Sequence, residues 1–133
     1  MKIICVGQNY LEHIKELSNV KSKEPLIFLK PDTALISKGR SFFIPNFSKE
    51  IHYELEIVIK IKKPGRYIER KYSNQYYDEI TVGIDFTARD LQKKLREKGY
   101  PWEKSKGFDS STLVGNFLNK NDLPPISNLN FHL

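Results

Sequence analysis

Two glutamates, Glu54 and Glu56, stand two residues apart within the apolar run Ile51–Ile59. If this run is a β-strand, its period of two places both carboxylates on one face and Leu55 and Ile57 on the other. Burying two like charges without partners is costly, whereas a hard divalent cation such as Mg²⁺ binds carboxylate oxygens well. An isolated pair of this kind more often belongs to a solvated strand face. The residues further along the chain favour the metal site.

A third carboxylate, Asp85, stands at the end of a second apolar run. We expect a helix just after it, with Thr87 as the N-cap, Asp90 completing a capping box and Gly99 ending the helix. Asp85 would then lie at a strand end beside a helix N-terminus.

Three further polar side chains follow Asp85 and suit the binding of an anion. Arg89 and Gln92 are three residues apart on the expected helix, so they share a face. The first offers a guanidinium fork to a carboxylate and the second offers an amide. Lys106 lies in the Gly-containing segment 102–109, a loop that can return it to the same place. Taken one at a time, these residues would more often be ordinary surface positions.

Five ordered blocks of the sequence are similar to the motifs of one known family. The blocks are Gly7-Gln8-Asn9-Tyr10-Leu11-Glu12-His13-Ile14-Lys15-Glu16, Pro25-Leu26-Ile27-Phe28-Leu29-Lys30-Pro31, Tyr53-Glu54-Leu55-Glu56, Asp85 to Gln92, and Trp102 to Asp109. Through them the chain resembles the fumarylacetoacetate hydrolase family from about Gly7 to Phe117. One such block is weak evidence, but five in the family's order are specific.

The resemblance implies a role for each matching position. The implied ligands of a Mg²⁺ or Mn²⁺ ion are Glu54, Glu56 and Asp85. The implied substrate-binding residues are Arg89, Gln92 and Lys30, and the implied catalytic residues are His13, Glu16 and Lys106, the last also holding substrate oxygens. The metal would act as a Lewis acid on the oxygens of a 2-oxo acid and stabilise an enolate.

The implied dyad of His13 and Glu16 is consistent with its own chemistry. The two residues are three apart, so on a helix they share one face. A carboxylate beside a histidine orients the ring and raises its basicity, which suits the activation of water near neutral pH. Considered alone, His13 would be a partly exposed helix histidine.

Two features depart from the family's pattern. Ile84 stands where the family has an Asn immediately before the metal-binding Asp, so we expect a hydrogen bond that orients Asp85 to be lost. The family's Gly-Thr-Pro loop has no counterpart before Leu133. We therefore expect residues 1–133 to form a single domain of the family's type that lacks its C-terminal part.

Composition agrees with one cytoplasmic globular domain. The chain has 133 residues, of which 39% are hydrophobic, so disorder is not expected. The single cysteine, Cys5, forms no intrachain disulfide, suits a reducing compartment and is expected to be a small buried strand residue. The short apolar run at the N-terminus is too short for a signal peptide or a membrane-spanning helix, so we expect no membrane association.

The net charge of +6 is concentrated after the Glu-x-Glu strand. A cluster of basic side chains there is interleaved with tyrosines; its members are Lys60, Lys62, Lys63, Arg66, Arg70 and Lys71. A solvated surface is the simplest interpretation, and some of the charge would steer anionic substrates. Nucleic-acid binding is a third alternative that no recognised motif supports, so we expect no nucleic-acid partner.

The pattern of short apolar runs predicts an α+β fold. Strands are expected at about 2–6, 26–29, 34–37, 41–44, 51–61 and 80–85, with helices near 67–78 and from 87. The resemblance implies a mixed β-sheet roll of the fumarylacetoacetate hydrolase type, with few short helices, and a homodimer.

These features predict metal-dependent hydrolysis or decarboxylation of a small 2-oxo or 1,3-diketo acid through an enolate held on Mg²⁺. Two alternatives remain open: isomerisation of an unsaturated dicarboxylate, and a non-catalytic ligand-binding remnant. The departures at Ile84 and at the C-terminus favour the remnant, whereas His13, Glu16 and Lys106 argue for an enzyme.

Overall fold

The computed structural model describes residues 1–10, 24–125 and 128–131. Their strands are β1 (Ile3–Gly7), β2 (Leu26–Lys30), β3 (Ile51–Ile61), β4 (Tyr77–Ala88), β5 (Thr112–Val114) and β6 (Leu118–Asn119). The α-helices are α1 (Arg89–Glu97) and α2 (Glu103–Lys106), and 3-10 turns cover Asp32–Ala34, Arg70–Gln75 and Lys120–Asp122. Within these residues, no helix is long and apolar enough to cross a membrane.

The strands form two open sheets. β1 and β2 make an antiparallel ribbon, and β3, β4 and β5 follow one another in a second antiparallel sheet, with β6 also paired to β4. An isolated parallel bridge joins Leu35 to Thr112. The expected α+β architecture with few short helices is confirmed.

The Glu-x-Glu strand has the predicted bounds, because β3 runs from Ile51 to Ile61. It pairs with β4 along its whole length, and a register shift at Lys60/Ile61 ends the regular ladder. Gly83 of β4 has close neighbours on both sides, since a Cβ there would lie 2.8 Å from Leu113 O of β5 and 2.8 Å from Val58 Cγ2 of β3. β5 can therefore approach β4 closely beside the carboxylate pair.

Two stretches differ from the sequence-based expectation. The strands expected at 34–37 and 41–44 do not form: a 3-10 turn ends at Ala34 and the chain then runs irregularly, with Gly39 at a φ of +79°. The helix expected near 67–78 is a 3-10 turn over Arg70–Gln75. Tyr77 instead enters β4 and is buried there, so tertiary packing overrides the weak local helix preference.

The start of α1 also differs from the expected capping box. Thr87 is the penultimate residue of β4, and its fully buried hydroxyl donates a 3.0 Å hydrogen bond to Glu54 Oε1. Asp90 accepts hydrogen bonds from Ser48 Oγ at 2.6 Å and from the Lys49 amide at 3.2 Å. The helix ends as expected, with Gly99 at a φ of +66° just beyond it.

Aromatic pairs join the two sheets to the segments around them. Phe28 of β2 packs against Trp102, with ring centroids 5.9 Å apart, and so holds the ribbon beside α2. Phe42 stacks on Phe86 of β4 at 3.8 Å. Among the described residues, the largest fully buried side chains are polar, namely Thr87, Ser105 and Ser111, which indicates that this part of the interior is built around polar groups.

The basic cluster lies on the surface. All six of its members are exposed. Lys60 pairs with Glu79 and Lys62 with Asp78, so acidic neighbours neutralise part of its charge. This arrangement agrees with a solvated surface.

Candidate metal and substrate site

The register of β3 and β4 brings the three predicted ligand carboxylates to one face. Glu54 lies directly opposite Asp85, and Glu56 lies opposite Gly83 one pleat further along. Residues paired across two strands project to the same side of a sheet, as do residues two apart on one strand. Ile84 pairs with Leu55 and so belongs to the opposite face. The expected loss of a hydrogen bond that orients Asp85 stays a prediction.

Lys106 joins two of these carboxylates. Its ammonium lies 2.8 Å from Glu54 Oε2, 2.8 Å from Asp85 Oδ2 and 2.6 Å from Thr87 Oγ1. The residue is only 3% exposed, and its Nζ is 5.6 Å from the centroid of the Phe28 ring. The four-residue helix α2 thus places a buried cation between β3 and β4.

Lys30 approaches Asp85 from the other side. Its ammonium lies 2.6 Å from Asp85 Oδ1 as an ion pair, and donates to Ser111 O at 2.8 Å and Thr112 Oγ1 at 2.9 Å. This short contact joins a buried ammonium to a buried carboxylate oxygen. Burial lowers the pKa of Lys30, and the Asp85 charge opposes that change in part.

Arg89 and Gln92 meet as the helical spacing predicts. The Arg89 guanidinium donates to Gln92 Oε1 and to Glu54 Oε1, and its Nε donates to His52 Nδ1 at 3.3 Å. Gln92 is 5% exposed although it lies on the first turns of a surface helix. The arrangement orients a cationic fork at the edge of the carboxylate face.

The electrostatics differ between the two glutamates. Burial acts to raise the pKa of Glu54, but the charges and hydrogen bonds of Lys106 and Arg89 outweigh it, so that pKa lies below its ordinary value. Burial, together with the neighbouring charges of Glu54 and Asp85, raises the pKa of Glu56 to about 7. Glu56 is therefore the carboxylate of the three that is least compensated by positive charge.

Tyr10 is a contact of the site that the sequence analysis quoted only as part of a motif. Its hydroxyl lies close enough to the Glu56 carboxylate to feel its charge. Burial, followed by the Glu56 charge, raises the pKa of Tyr10. Ser111, Thr112 and Thr87 were also missed, because hydroxyl residues are common and only the fold brings them to the lysines.

The remaining predicted residues, His13 and Glu16, lie outside the described residues, so their roles stay predictions. A surface cavity of about 500 Å³ lies elsewhere and shares no residue with the site. Lys120, which lines it, already donates to Tyr77 O at 2.7 Å. This cavity has no titratable cluster comparable with that on the β3–β4 face.

The donor set suits a hard divalent cation. Three carboxylates share one face, and Asp85 is buried there. As the side chains stand, no three acidic, histidine or cysteine groups of the described part of the chain converge on one point. The Lys106 ammonium lies between Glu54 and Asp85. The ligand types therefore fit the ion, while their present partners are ammonium groups.

Comparison with known proteins finds relatives along most of the chain. The model of the family described as fumarylacetoacetate (FAA) hydrolase C-terminal matches residues 2–133. A mitochondrial oxaloacetate tautomerase from Bos taurus is 34% identical over 131 residues, which cover 98% of this chain and 59% of that protein. A mitochondrial oxaloacetate decarboxylase from Dictyostelium discoideum is 38% identical over 129 residues, covering 96% and 59%.

The fold also matches a solved enzyme structure. A fumarylpyruvate hydrolase from Pseudomonas aeruginosa, in complex with Mn²⁺ and pyruvate, aligns with a TM-score of 0.82 and 34% identity. The alignment covers 91% of this chain and 54% of the hydrolase. The chain thus spans only 54–59% of the length of these three relatives. Because the family model matches residues 2–133, the chain belongs to the fumarylacetoacetate hydrolase family.

Proposed function

We propose that this chain carries the cation-binding and carboxylate-binding residues of an enzyme that acts on a small 2-oxo acid of the oxaloacetate type. The observation that carries the proposal is the shared face of Glu54, Glu56 and Asp85, with the Arg89–Gln92 pair at its edge. Carboxylates on one face favour a divalent cation, which could replace their ammonium partners, and a guanidinium fork beside them favours an anion. A chelated keto acid supplies both.

The three carboxylates would hold Mg²⁺ or Mn²⁺, and that ion would supply Lewis-acid polarisation of the keto oxygen. Arg89 is oriented to receive a substrate carboxylate, since Gln92 and Glu54 already fix the plane of its guanidinium. Lys30 keeps Asp85 oriented from the far side through the ion pair with Oδ1. These residues bind and orient the substrate before any proton moves.

The proton-transfer groups in this proposal are His13 and Glu16. A histidine oriented by a carboxylate can take a proton from carbon or from water near neutral pH. Taking a proton from C3 of a 2-oxo acid and returning it elsewhere gives tautomerisation, whereas deprotonating water gives hydrolysis. Loss of CO₂ from oxaloacetate develops the same negative charge on the keto oxygen without needing a base at the first step.

The named activities of the relatives favour oxaloacetate as the first substrate to test. One is named an oxaloacetate tautomerase and another an oxaloacetate decarboxylase. The Pseudomonas relative is named a fumarylpyruvate hydrolase, which makes C–C hydrolysis of an acylpyruvate the second candidate. The homodimer and the choice between Mg²⁺ and Mn²⁺ stay predictions.

The experiment is calorimetric titration with Mn²⁺ and Mg²⁺, with and without oxalate, followed by assays with oxaloacetate and acylpyruvates. We expect oxalate to bind only when the divalent ion is present. Ion-dependent oxalate binding without turnover of any substrate would favour the non-catalytic alternative. Oxalate binding of equal strength in EDTA would contradict the proposed chelate.

A further inference from the structure

Glu54 and Asp85 share one buried cation in this structure, and that cation is Lys106. Its three ammonium hydrogens face Glu54 Oε2, Asp85 Oδ2 and Thr87 Oγ1 at 2.8, 2.8 and 2.6 Å. Two of these three acceptors are the carboxylate oxygens that a divalent ion would need at the proposed site. We infer that Lys106 is an exchangeable counter-ion: it competes with the divalent ion for Glu54 and Asp85 and turns toward the substrate space when the ion binds.

Charge balance supports the exchange. Three carboxylates on this face are matched by three cations, Lys30, Lys106 and Arg89. A divalent ion adds two positive charges to a region where Asp85, Lys30 and Lys106 are each at most 8% exposed. Unbalanced charge at such depth is costly. The surplus is relieved if one ammonium leaves the carboxylates and if an anionic substrate enters.

The contacts of the two lysines show which of them is able to leave. Lys30 donates to Ser111 O, Ser111 Oγ and Thr112 Oγ1, so most of its hydrogen bonds do not depend on the carboxylates. Lys106 depends mainly on Glu54 and Asp85, and its ammonium also donates to Thr87 Oγ1. A lysine has a flexible four-carbon stem, so its ammonium can turn without moving helix α2. Lys30 is therefore the fixed cation and Lys106 the mobile one.

This inference rests on the proposed metal site, and its consequence is an ordered assembly. Lys106 becomes available to an anion only after the ion has taken its carboxylates, so binding of the ion and of the substrate carboxylate are coupled. Removing the ammonium should then act in opposite directions: the ion binds more tightly, and oxalate binds less tightly to the loaded protein. A residue that only supported the fold would weaken both.

The first test compares Mn²⁺ affinity by calorimetry in the wild type and three variants. Lys106→Met removes the competitor, Lys30→Met removes the fixed cation, and Lys62→Met removes an exposed lysine paired with Asp78 as a control for net charge. We expect Lys106→Met to bind Mn²⁺ at least about tenfold more tightly than the wild type, because the cost of displacing a close buried charge pair is removed. Lys62→Met should stay within about twofold, since its charge is exposed and screened. Equal increases in Lys106→Met and Lys30→Met would overturn the exchange in favour of a general charge effect.

The second test uses the wild-type protein and follows Lys106 directly. Its amine is labelled with an acylating reagent in EDTA and in saturating Mg²⁺, and the modified peptides are quantified by mass spectrometry. We expect Lys106 to be protected in EDTA and labelled several-fold faster in Mg²⁺, with Lys30 protected in both. Unchanged labelling of Lys106 while calorimetry shows bound Mg²⁺ would overturn the exchange and leave the metal site standing. Absence of ion binding in the wild type and in Lys106→Met would refute the metal site and the exchange together.

Discussion

Asp85 is the acceptor on which two buried lysines converge, and its replacement by asparagine is the most informative change for stability. Lys30 lies 2.6 Å from Oδ1 and Lys106 lies 2.8 Å from Oδ2, and Asp85 is 8% exposed. Asp85→Asn keeps the size of the side chain but removes its charge. Both ammonium groups then remain buried with less compensation, because the amide of asparagine offers one acceptor instead of two charged oxygens.

The expected loss of stability in Asp85→Asn follows from the burial of these charged groups. Breaking a buried ion pair by removing one partner costs about 3–5 kcal/mol. Lys106 retains Glu54, and Lys30 retains Ser111 and Thr112, so we expect the lower end of that range, about 3 kcal/mol. The matched control is Asp78→Asn, whose carboxylate pairs with Lys62 at the surface. Exposed pairs contribute little, so the control should unfold almost like the wild type.

The assay is urea unfolding in EDTA, followed by circular dichroism and by the fluorescence of the single tryptophan, Trp102, which lies beside α2. A lower midpoint with an unchanged slope reports a change of stability alone. If Asp85→Asn and Asp78→Asn unfold at the same urea concentration, the described network around Asp85 does not stabilise the fold, and the reasoning is refuted.

Three further substitutions test the charge of Glu56, the close packing at Gly83 and the anion-binding role of Arg89. Glu56 has a pKa raised to about 7, so its contribution to stability is fully present below its ordinary pKa and is lost as the pH rises through 7. Glu56→Gln should therefore stabilise the ion-free protein by about 3 kcal/mol well above pH 7 and little at pH 4, since one pKa unit corresponds to about 1.4 kcal/mol. Urea unfolding at both pH values measures this difference, and the absence of a pH dependence would contradict it. Gly83→Ala should destabilise the fold by about 1–3 kcal/mol, because the new Cβ would lie 2.8 Å from Leu113 O. An unchanged midpoint of urea unfolding would contradict this, because β5 would then move away without cost. Arg89→Lys should weaken oxalate binding to the Mn²⁺-loaded protein by about tenfold or more, since an ammonium lacks the planar fork of a guanidinium. Equal oxalate affinity of the wild type and Arg89→Lys in calorimetry would show that Arg89 does not bind the substrate.

Local periodicity explains what the sequence predicted well. The alternation around Glu54 and Glu56 predicted both the bounds of β3 and its carboxylate face, and helical spacing predicted the meeting of Arg89 with Gln92. Both patterns depend on residues within one element. The end of α1 was also predicted from a local feature, since Gly99 just beyond the helix adopts a positive φ that suits glycine.

The parts that were predicted wrongly depend on contacts between distant segments. Thr87 has the chemistry of an N-cap, but the pairing of β4 with β3 draws its hydroxyl to Glu54. The expected strands near 34–37 and 41–44 do not form, and within the described part of the chain Leu35 is the only one of these residues with a bridge partner, Thr112 of β5. The segment around Lys106 does not by itself reveal that the ammonium lies between two carboxylates. This position follows from packing against a strand more than fifty residues earlier in the chain.

The central claim is that Glu54, Glu56 and Asp85 together bind a divalent ion. The most direct measurement is Mn²⁺ affinity by calorimetry in the wild type, in Asp85→Asn and in Asp78→Asn, with folding of each variant checked by circular dichroism. We expect the wild type and Asp78→Asn to bind one Mn²⁺ per chain with equal affinity, and folded Asp85→Asn not to bind it. Equal Mn²⁺ affinity in all three proteins would contradict the site.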